Sequence, residues 1–231
     1  MSIKLEIIKN EDELYTRALE IFQNELAKGS NTFGLATGGT MVPLYEKMAA
    51  SDIDFSKCNS FNLDEYVGLP ASHPESYVSF MKTNLFSKKP FAHSELPNGE
   101  AADPVAEAAQ YEEKLRNAQL DFQLLGIGEN GHIGFNEPGT PFDAPTHVVE
   151  LTQSTREANA RFFNSIDEVP TKAITMGISS IARAKTVLLI AVGEKKRDAL
   201  HALINGEATV EVPVTALKDH QDFIVLTDLD L

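Results

Sequence analysis

Long apolar runs are missing from this sequence. The longest strongly apolar stretch, Val187–Val192, is far too short to cross a bilayer. The opening residues Met1-Ser2-Ile3-Lys4-Leu5-Glu6 hold no apolar signal-peptide segment. Thiols are nearly absent as well. Cys58 is the one cysteine, which rules out an intrachain disulfide, fits a reducing, cytoplasmic compartment and reads as a packing residue rather than a nucleophile. Positive charge is scarce: 20 Lys and Arg stand against 34 Asp and Glu, a formal net charge of −14. Nucleic acid and anionic membrane both attract basic surfaces, so neither is an expected partner. The same acidity sets a condition. An anionic substrate must be held by a few local cations or backbone N–H groups against a repulsive background. Metal and nucleophile signatures are missing too. His73, His93, His132, His147, His201 and His220 are dispersed, with no H-E-x-x-H, no paired-cysteine spacing and no G-x-S-x-G.

What is present is a core. Apolar residues make up 42% of the 231, enough for one α/β domain spanning residues 1–231. Ile3–Ile8 reads as a strand. Asn10 caps a helix with Glu13 three residues on, and Leu14, Ala18, Ile21, Phe22 and Leu26 keep a helical stripe until Gly29. Further strands are expected at Thr32–Ala36, Ser60–Leu63, Asp121–Ile127, Ala173–Met176, Thr186–Val192 and Asp222–Leu226. Helices are expected at Val42–Ala50, Glu75–Phe86 and Pro104–Ala118. Pro138–Pro145 reads as a long irregular loop. This alternation predicts a single doubly wound, mostly parallel, Rossmann-like sheet with helices on both faces. Ligands of such sheets bind beyond the carboxyl ends of the strands, and three motifs fall at strand ends.

Thr37-Gly38-Gly39-Thr40 follows a buried strand and precedes a helix. It is either a phosphate-binding turn, with backbone N–H groups and a helix N-terminus facing the anion, or an ordinary connection. In Phe61-Asn62-Leu63-Asp64-Glu65-Tyr66 two adjacent carboxylates end an apolar strand. They face opposite ways on extended chain, so at most one serves as a general base; a helix cap or a solvated loop is the other reading. Gly126, Gly128 and Gly131 match G-x-G-x-x-G, but Gly134, Pro138 and Gly139 deny the helix that a dinucleotide fingerprint needs. What remains is a Gly-rich loop that brings His132, suited to proton transfer near neutral pH, close to Glu137, with turn-forming Gly134 and Pro138 to fold the carboxylate back onto the imidazole. Asn130, two residues before His132, would hold its opposite side. Arg161 lies among apolar neighbours. Lys195 and Lys196 begin a helix, where their charge opposes the dipole unless an anion is bound.

Taken together, Ala36–Thr40, Phe61–Pro70 with His73-Pro74-Glu75-Ser76-Tyr77, Gly131–Pro138 and Ala158–Phe163 resemble the glucosamine-6-phosphate deaminase family, in matching order over nearly the whole chain. The resemblance implies hydrolytic isomerisation of glucosamine 6-phosphate to fructose 6-phosphate and ammonia, without metal or organic cofactor, in amino-sugar catabolism. It implies that Asp64 moves a proton between C2 and C1 and that His132, oriented by Glu137, opens the pyranose ring. Thr37, Gly38, Gly39, Thr40, Arg161 and Lys196 would hold the phosphate. Asn130 stands where some members carry Asp. An amide cannot act as a base, so its expected part is to orient His132. An Asp at its ordinary pKa near ~3.9 would be ionised and ready to take a proton. The related 6-phosphogluconolactonases usually continue the Gly-His loop toward Ala-Ser-Leu-Phe-Pro, unlike Ile133–Pro138 here. A non-catalytic sugar-phosphate sensor would need a DNA-binding or partner module, for which no basic segment exists. An oligomer is compatible with the sequence, which does not set the state.

Overall fold

A computed structural model describes residues 3–231, apart from the side chains of Ser154, Ala158 and Phe162. Met1 and Ser2 of the N-terminal segment lie outside the described residues. The strands are β1 (Lys4–Ile7), β2 (Thr32–Leu35), β3 (Asn59–Asn62), β4 (Asp64–Tyr66), β5 (His93–Glu95), β6 (Phe122–Leu125), β7 (His147–Glu150), β8 (Lys172–Thr175), β9 (Thr186–Ala191) and β10 (Phe223–Thr227). The α-helices are α1 (Glu11–Lys28), α2 (Val42–Ala50), α3 (Tyr77–Met81), α4 (Pro104–Ala118), α5 (Gln153–Asn159), α6 (Ile178–Ala182) and α7 (Arg197–Asn205).

Local chemistry sets several of these ends. Asn10 accepts a hydrogen bond from the Glu13 N–H at 3.0 Å and starts α1. Gly29 stops it at φ +97°, a left-handed conformation that suits glycine. Between these ends Leu14, Ala18, Ile21 and Phe22 are buried along one stripe. Asp103 caps α4 in the same way, accepting from Val105 and Ala106. The expected helix Glu75–Phe86 is shorter and changes form. Ser76 caps it from Ser79 N–H, α3 runs to Met81, and Lys82–Phe86 widens into π-helical winding.

Seven strands form a parallel sheet in the order β1-β10-β9-β6-β2-β3-β5. The chain moves outward from β2 to β3 and β5, returns to β6 beside β2, then proceeds the other way through β9 and β10. Right-handed crossovers running in opposite directions place their helices on opposite faces. The doubly wound arrangement expected from the sequence is therefore realised, with its switch point between β2 and β6. Phe22, Phe33, Phe55 and Phe122 pack together in the core beneath α1, with ring centroids 4.6 to 6.3 Å apart.

The structure adds a second sheet. β4, β8 and β7 form a three-stranded antiparallel sheet, with Asp64 and His147 both opposite Thr175. The strand expected near Ala173–Met176 belongs here rather than to the main sheet. The sequence reading also missed β4, β5 and β7. Leu63 is the joint between the two sheets: its N–H donates to Leu35 and its carbonyl accepts from Met176. Asp64 thus leaves the end of β3 and enters an element that crosses over the top of the main sheet. Among the described residues, no helix is long and apolar enough to cross a membrane.

Candidate active site

Because the main sheet is parallel, the loops after β2, β3, β6 and β9 leave from one edge. The loop after β2 turns at Gly38, with φ +100° and ψ 165°, then makes a 3-10 turn over Gly39–Met41 and enters α2. Only glycine adopts that φ readily. A methyl group at Gly38 or Gly39 would meet nothing within 4 Å, so the backbone here borders open space. The turn is held from below: Tyr15 donates to the Thr40 carbonyl at 2.7 Å and Tyr45 to the Ala36 carbonyl. The loop after β9 repeats the design, with Gly193 at φ +94° and ψ 149° and a 3-10 turn over Glu194–Lys196 leading into α7. Gly193 N–H donates to Asp228 at 2.9 Å. Lys195 pairs with Glu129 at 3.1 Å, whereas Lys196 is half-buried and its ammonium is pushed below its ordinary pKa by that burial. Of the two lysines considered, Lys196 is the one without a carboxylate at ion-pair distance among the described residues.

The loop after β6 builds the imidazole site. Gly128 donates to the His132 carbonyl at 2.9 Å and Gly131, at φ +83°, donates back to Gly128 at 3.0 Å. The His132 ring lies directly over Gly128, where a methyl group would sit 2.1 Å from Nδ1. Asn130 Oδ1 accepts from the His132 backbone N–H at 3.1 Å and faces Nδ1 at 2.8 Å, while Asn130 Nδ2 donates to Glu137 Oε2 at 2.9 Å. Glu137 Oε2 itself is 3.8 Å from Nδ1. The sequence reading put Glu137 against the imidazole and Asn130 on its opposite side. Instead Asn130 stands between them, because a residue two positions away reaches Nδ1 across the tight turn more directly than one five positions away. Burial pushes the His132 pKa below 6.5; the Glu137 charge opposes this and the Lys196 charge reinforces it.

Asp64 and Glu65 separate as extended chain requires. Glu65 turns away and accepts from Tyr66 N–H at 2.8 Å, Tyr77 N–H at 3.0 Å and Val78 N–H at 3.1 Å, capping α3. Asp64 is 7% exposed, and no described residue donates a hydrogen bond to its carboxylate. Burial, with the Glu65 charge second, raises its pKa to about 8. The expectation of an ordinary, ionised Asp64 is thereby corrected: desolvation in a pocket without donors favours the neutral acid. The two halves of the site meet at Gly134, at φ +57°. A methyl group there would lie 2.8 Å from Thr175 Oγ1 and 3.7 Å from Asp64 Oδ2, so the loop bearing His132 passes right against the carboxylate.

Arg161 is exposed in the 3-10 turn Ala160–Phe162 that follows α5. The segment is tied to the site twice. Thr155 donates to Glu137 Oε1 at 2.6 Å, and Asn159 Nδ2 donates to the Tyr66 hydroxyl at 2.9 Å. Neither residue was singled out from the sequence, since neither carries a local signal. Among the described residues, no group of three or more His, Cys, Asp or Glu could hold a metal ion.

Comparison with known proteins adds an independent line. A family model described as glucosamine-6-phosphate isomerases/6-phosphogluconolactonase matches residues 9–225. The chain is 62% identical over 206 residues to a glucosamine-6-phosphate deaminase of Lysinibacillus sphaericus, covering 89% of this chain and 93% of that one. It is 51% identical over 222 residues to one of Streptococcus thermophilus, covering 96% and 95%. A solved structure of a monomeric glucosamine-6-phosphate deaminase superposes with a TM-score of 0.94 at 40% identity, covering 97% of both chains. The 6-phosphogluconolactonase of Thermotoga maritima superposes with a TM-score of 0.78 at 16% identity, covering 97% and 99%, a likeness of fold alone.

Proposed function

The chain belongs to the glucosamine-6-phosphate isomerase/6-phosphogluconolactonase family, and on that premise we propose that it converts glucosamine 6-phosphate and water to fructose 6-phosphate and ammonia. The observation that carries the reading is the approach of Asp64 to the His132 loop at Gly134, on the edge where the sheet reverses direction. In the proposed site the Asp64 carboxylate and the His132 imidazole, carried by loops that meet at Gly134, act on one bound sugar. The identities of 62% and 51% to deaminases support the substrate.

In the proposed reaction the phosphate is held by the N–H groups of Thr37–Thr40 with Arg161 and Lys196. His132 Nε2 takes the proton of the C1 hydroxyl and delivers it to the ring oxygen as the bond from C1 to that oxygen breaks, so the pyranose opens to the aldehyde. Asp64, ionised, removes the C2 proton as the C2 ammonium passes a proton to the C1 carbonyl oxygen, which gives a neutral enolamine with a hydroxyl on C1. Return of the proton to C1 leaves an iminium at C2. Water adds to that carbon and ammonia departs, leaving the C2 ketone of fructose 6-phosphate. The substrate's C2 ammonium, beside the proton to be removed, favours the ionised form of Asp64. A buried neutral acid in the empty site therefore becomes a base when substrate arrives. Release of ammonia on mixing the protein with glucosamine 6-phosphate tests the reading. Hydrolysis of 6-phosphogluconolactone with no ammonia release from glucosamine 6-phosphate would assign the site to the other branch of the family.

A further inference from the structure

A chain of hydrogen bonds reaches His132 from outside the loop that carries it. It begins at the cap of α5, where Thr152 accepts from the Thr155 N–H at 3.2 Å and donates its own hydroxyl to Thr155 Oγ1 at 3.0 Å. The Thr155 hydroxyl hydrogen is thereby directed to Glu137 Oε1, at 2.6 Å. The other oxygen of Glu137 takes Asn130 Nδ2–H at 2.9 Å, and Asn130 Oδ1 faces both the backbone N–H and Nδ1 of His132. The Asn130 amide fits one way round only. Turned over, its NH2 would face the His132 N–H, and its oxygen would face the Glu137 carboxylate, donor against donor and acceptor against acceptor. Oδ1 therefore faces the imidazole, Nδ1 carries the hydrogen, and Nε2 keeps its lone pair.

We propose that Thr155 is a positioning residue: its hydroxyl holds one oxygen of Glu137 so that the other stays on Asn130, which keeps the imidazole hydrogen of His132 on Nδ1 and Nε2 free. The inference rests on the proposed role of His132 in ring opening, but the arrangement itself is independent of any substrate. Without the Thr155 bond, Glu137 is free to close its 3.8 Å gap to Nδ1 and displace Asn130. A carboxylate bonded directly to the ring favours the imidazolium, the form with no lone pair on Nε2. The other charges around the ring are the same in the wild type and the Thr155 variants, so they do not produce the shift. Lys196 disfavours the imidazolium from the α7 side, and Glu129 is engaged with Lys195.

The test is a pH titration of the His132 ring nitrogens by NMR in the substrate-free protein, with His132→Gln for assignment, set beside steady-state kinetics. Thr155→Val keeps the β-branched shape and the N–H bond to Thr152 while removing the hydroxyl. It is expected to raise the His132 titration midpoint by roughly half a unit or more and to lower kcat about tenfold with KM within about twofold. Thr155→Ser is expected to restore both. An unchanged ring signature in Thr155→Val overturns the proposal, even where kcat falls, because the loss would then be a packing defect. Should Thr155→Val fail to fold by circular dichroism, Thr155→Ala is read in the same way. A shifted ring signature in a protein whose wild type releases no ammonia supports the positioning role and removes the proposed reaction instead.

Discussion

Replacing Asp64 by Asn should inactivate the enzyme and stabilise it progressively as pH rises. The carboxyl is held up to about 8 in the folded chain against an ordinary 3.8. A folded pKa above the unfolded one means that folding takes up a proton between the two values. The stability that Asp64 contributes is therefore fully present below about pH 4 and is lost as pH climbs through about 8. Each unit corresponds to about 1.4 kcal/mol, so from pH 5 to pH 8 the wild type should lose about 3–4 kcal/mol relative to Asp64→Asn. Asn is nearly the same size and carries no charge, although its amide meets the same lack of donors and acceptors at a cost of about 1–3 kcal/mol. That cost is independent of pH, so the change in the difference isolates the proton. The chain has no tryptophan, and urea unfolding followed by circular dichroism at several pH values is the direct assay. In thermal melts the same change amounts to a widening of about 7–14 °C in the Tm difference. A difference that stays flat within about 1 kcal/mol from pH 5 to pH 8 would show Asp64 already ionised in the folded site, and the argument from burial would fall.

The same proton should govern the free enzyme's activity. Since the base must be ionised and burial pushes His132 below 6.5, kcat/KM should rise with pH to a limb near 8, set by Asp64; a limb at an ordinary carboxylate value refutes this. Gly128→Ala places a methyl 2.1 Å from His132 Nδ1, so kcat should fall by about tenfold or more while the melting temperature changes little; wild-type turnover would mean the ring need not lie over that turn. Arg161→Ala and Lys196→Ala should each raise KM and weaken competitive inhibition by inorganic phosphate by about tenfold or more, as loss of a charge-assisted contact requires. Normal calorimetric binding in both places the phosphate elsewhere.

What the sequence disclosed and what it hid divide along physical lines. The parallel strands, the Asn10 and Gly29 ends of α1 and the three loops at strand ends are local patterns of period and turn chemistry, and the structure has them within a residue or two. The Asp64–Glu65 pair was legible as two carboxylates facing opposite ways because adjacent side chains on extended chain point apart, although only the fold shows Glu65 capping α3. The second sheet was hidden because β4 has three residues and β7 is only partly buried, too little for a period to register. The Asp64 pKa was hidden because it comes from what surrounds the carboxylate in space. Thr155 lies 18 residues from Glu137 and meets it only because the irregular loop and β7 bring α5 back over the site.

The net charge of −14 poses the question of how such a chain attracts a phosphate at all. The two units that flank β6 offer an answer. In each, a glycine of φ +94° to +100° follows the strand by two or three residues, a three-residue 3-10 turn comes next, and a nine-residue helix begins. One unit, at Gly38, has neutral Thr and Gly around its turn; the other, at Gly193, contributes Lys196. Both aim helix N-termini at the edge where the sheet reverses. Backbone N–H groups act at contact distance and carry no net charge, so an acidic surface does not cancel them. Lys196 is half-buried, and burial makes its ammonium less well hydrated and readier to exchange water for an anion. In the proposed site the Gly38 turn offers the phosphate backbone N–H groups, whereas across β6 the Gly193 N–H is taken by Asp228 and Lys196 supplies the charge. The acidity of the remaining surface then costs the site little, because interactions between exposed charges beyond about 10 Å are largely screened by salt.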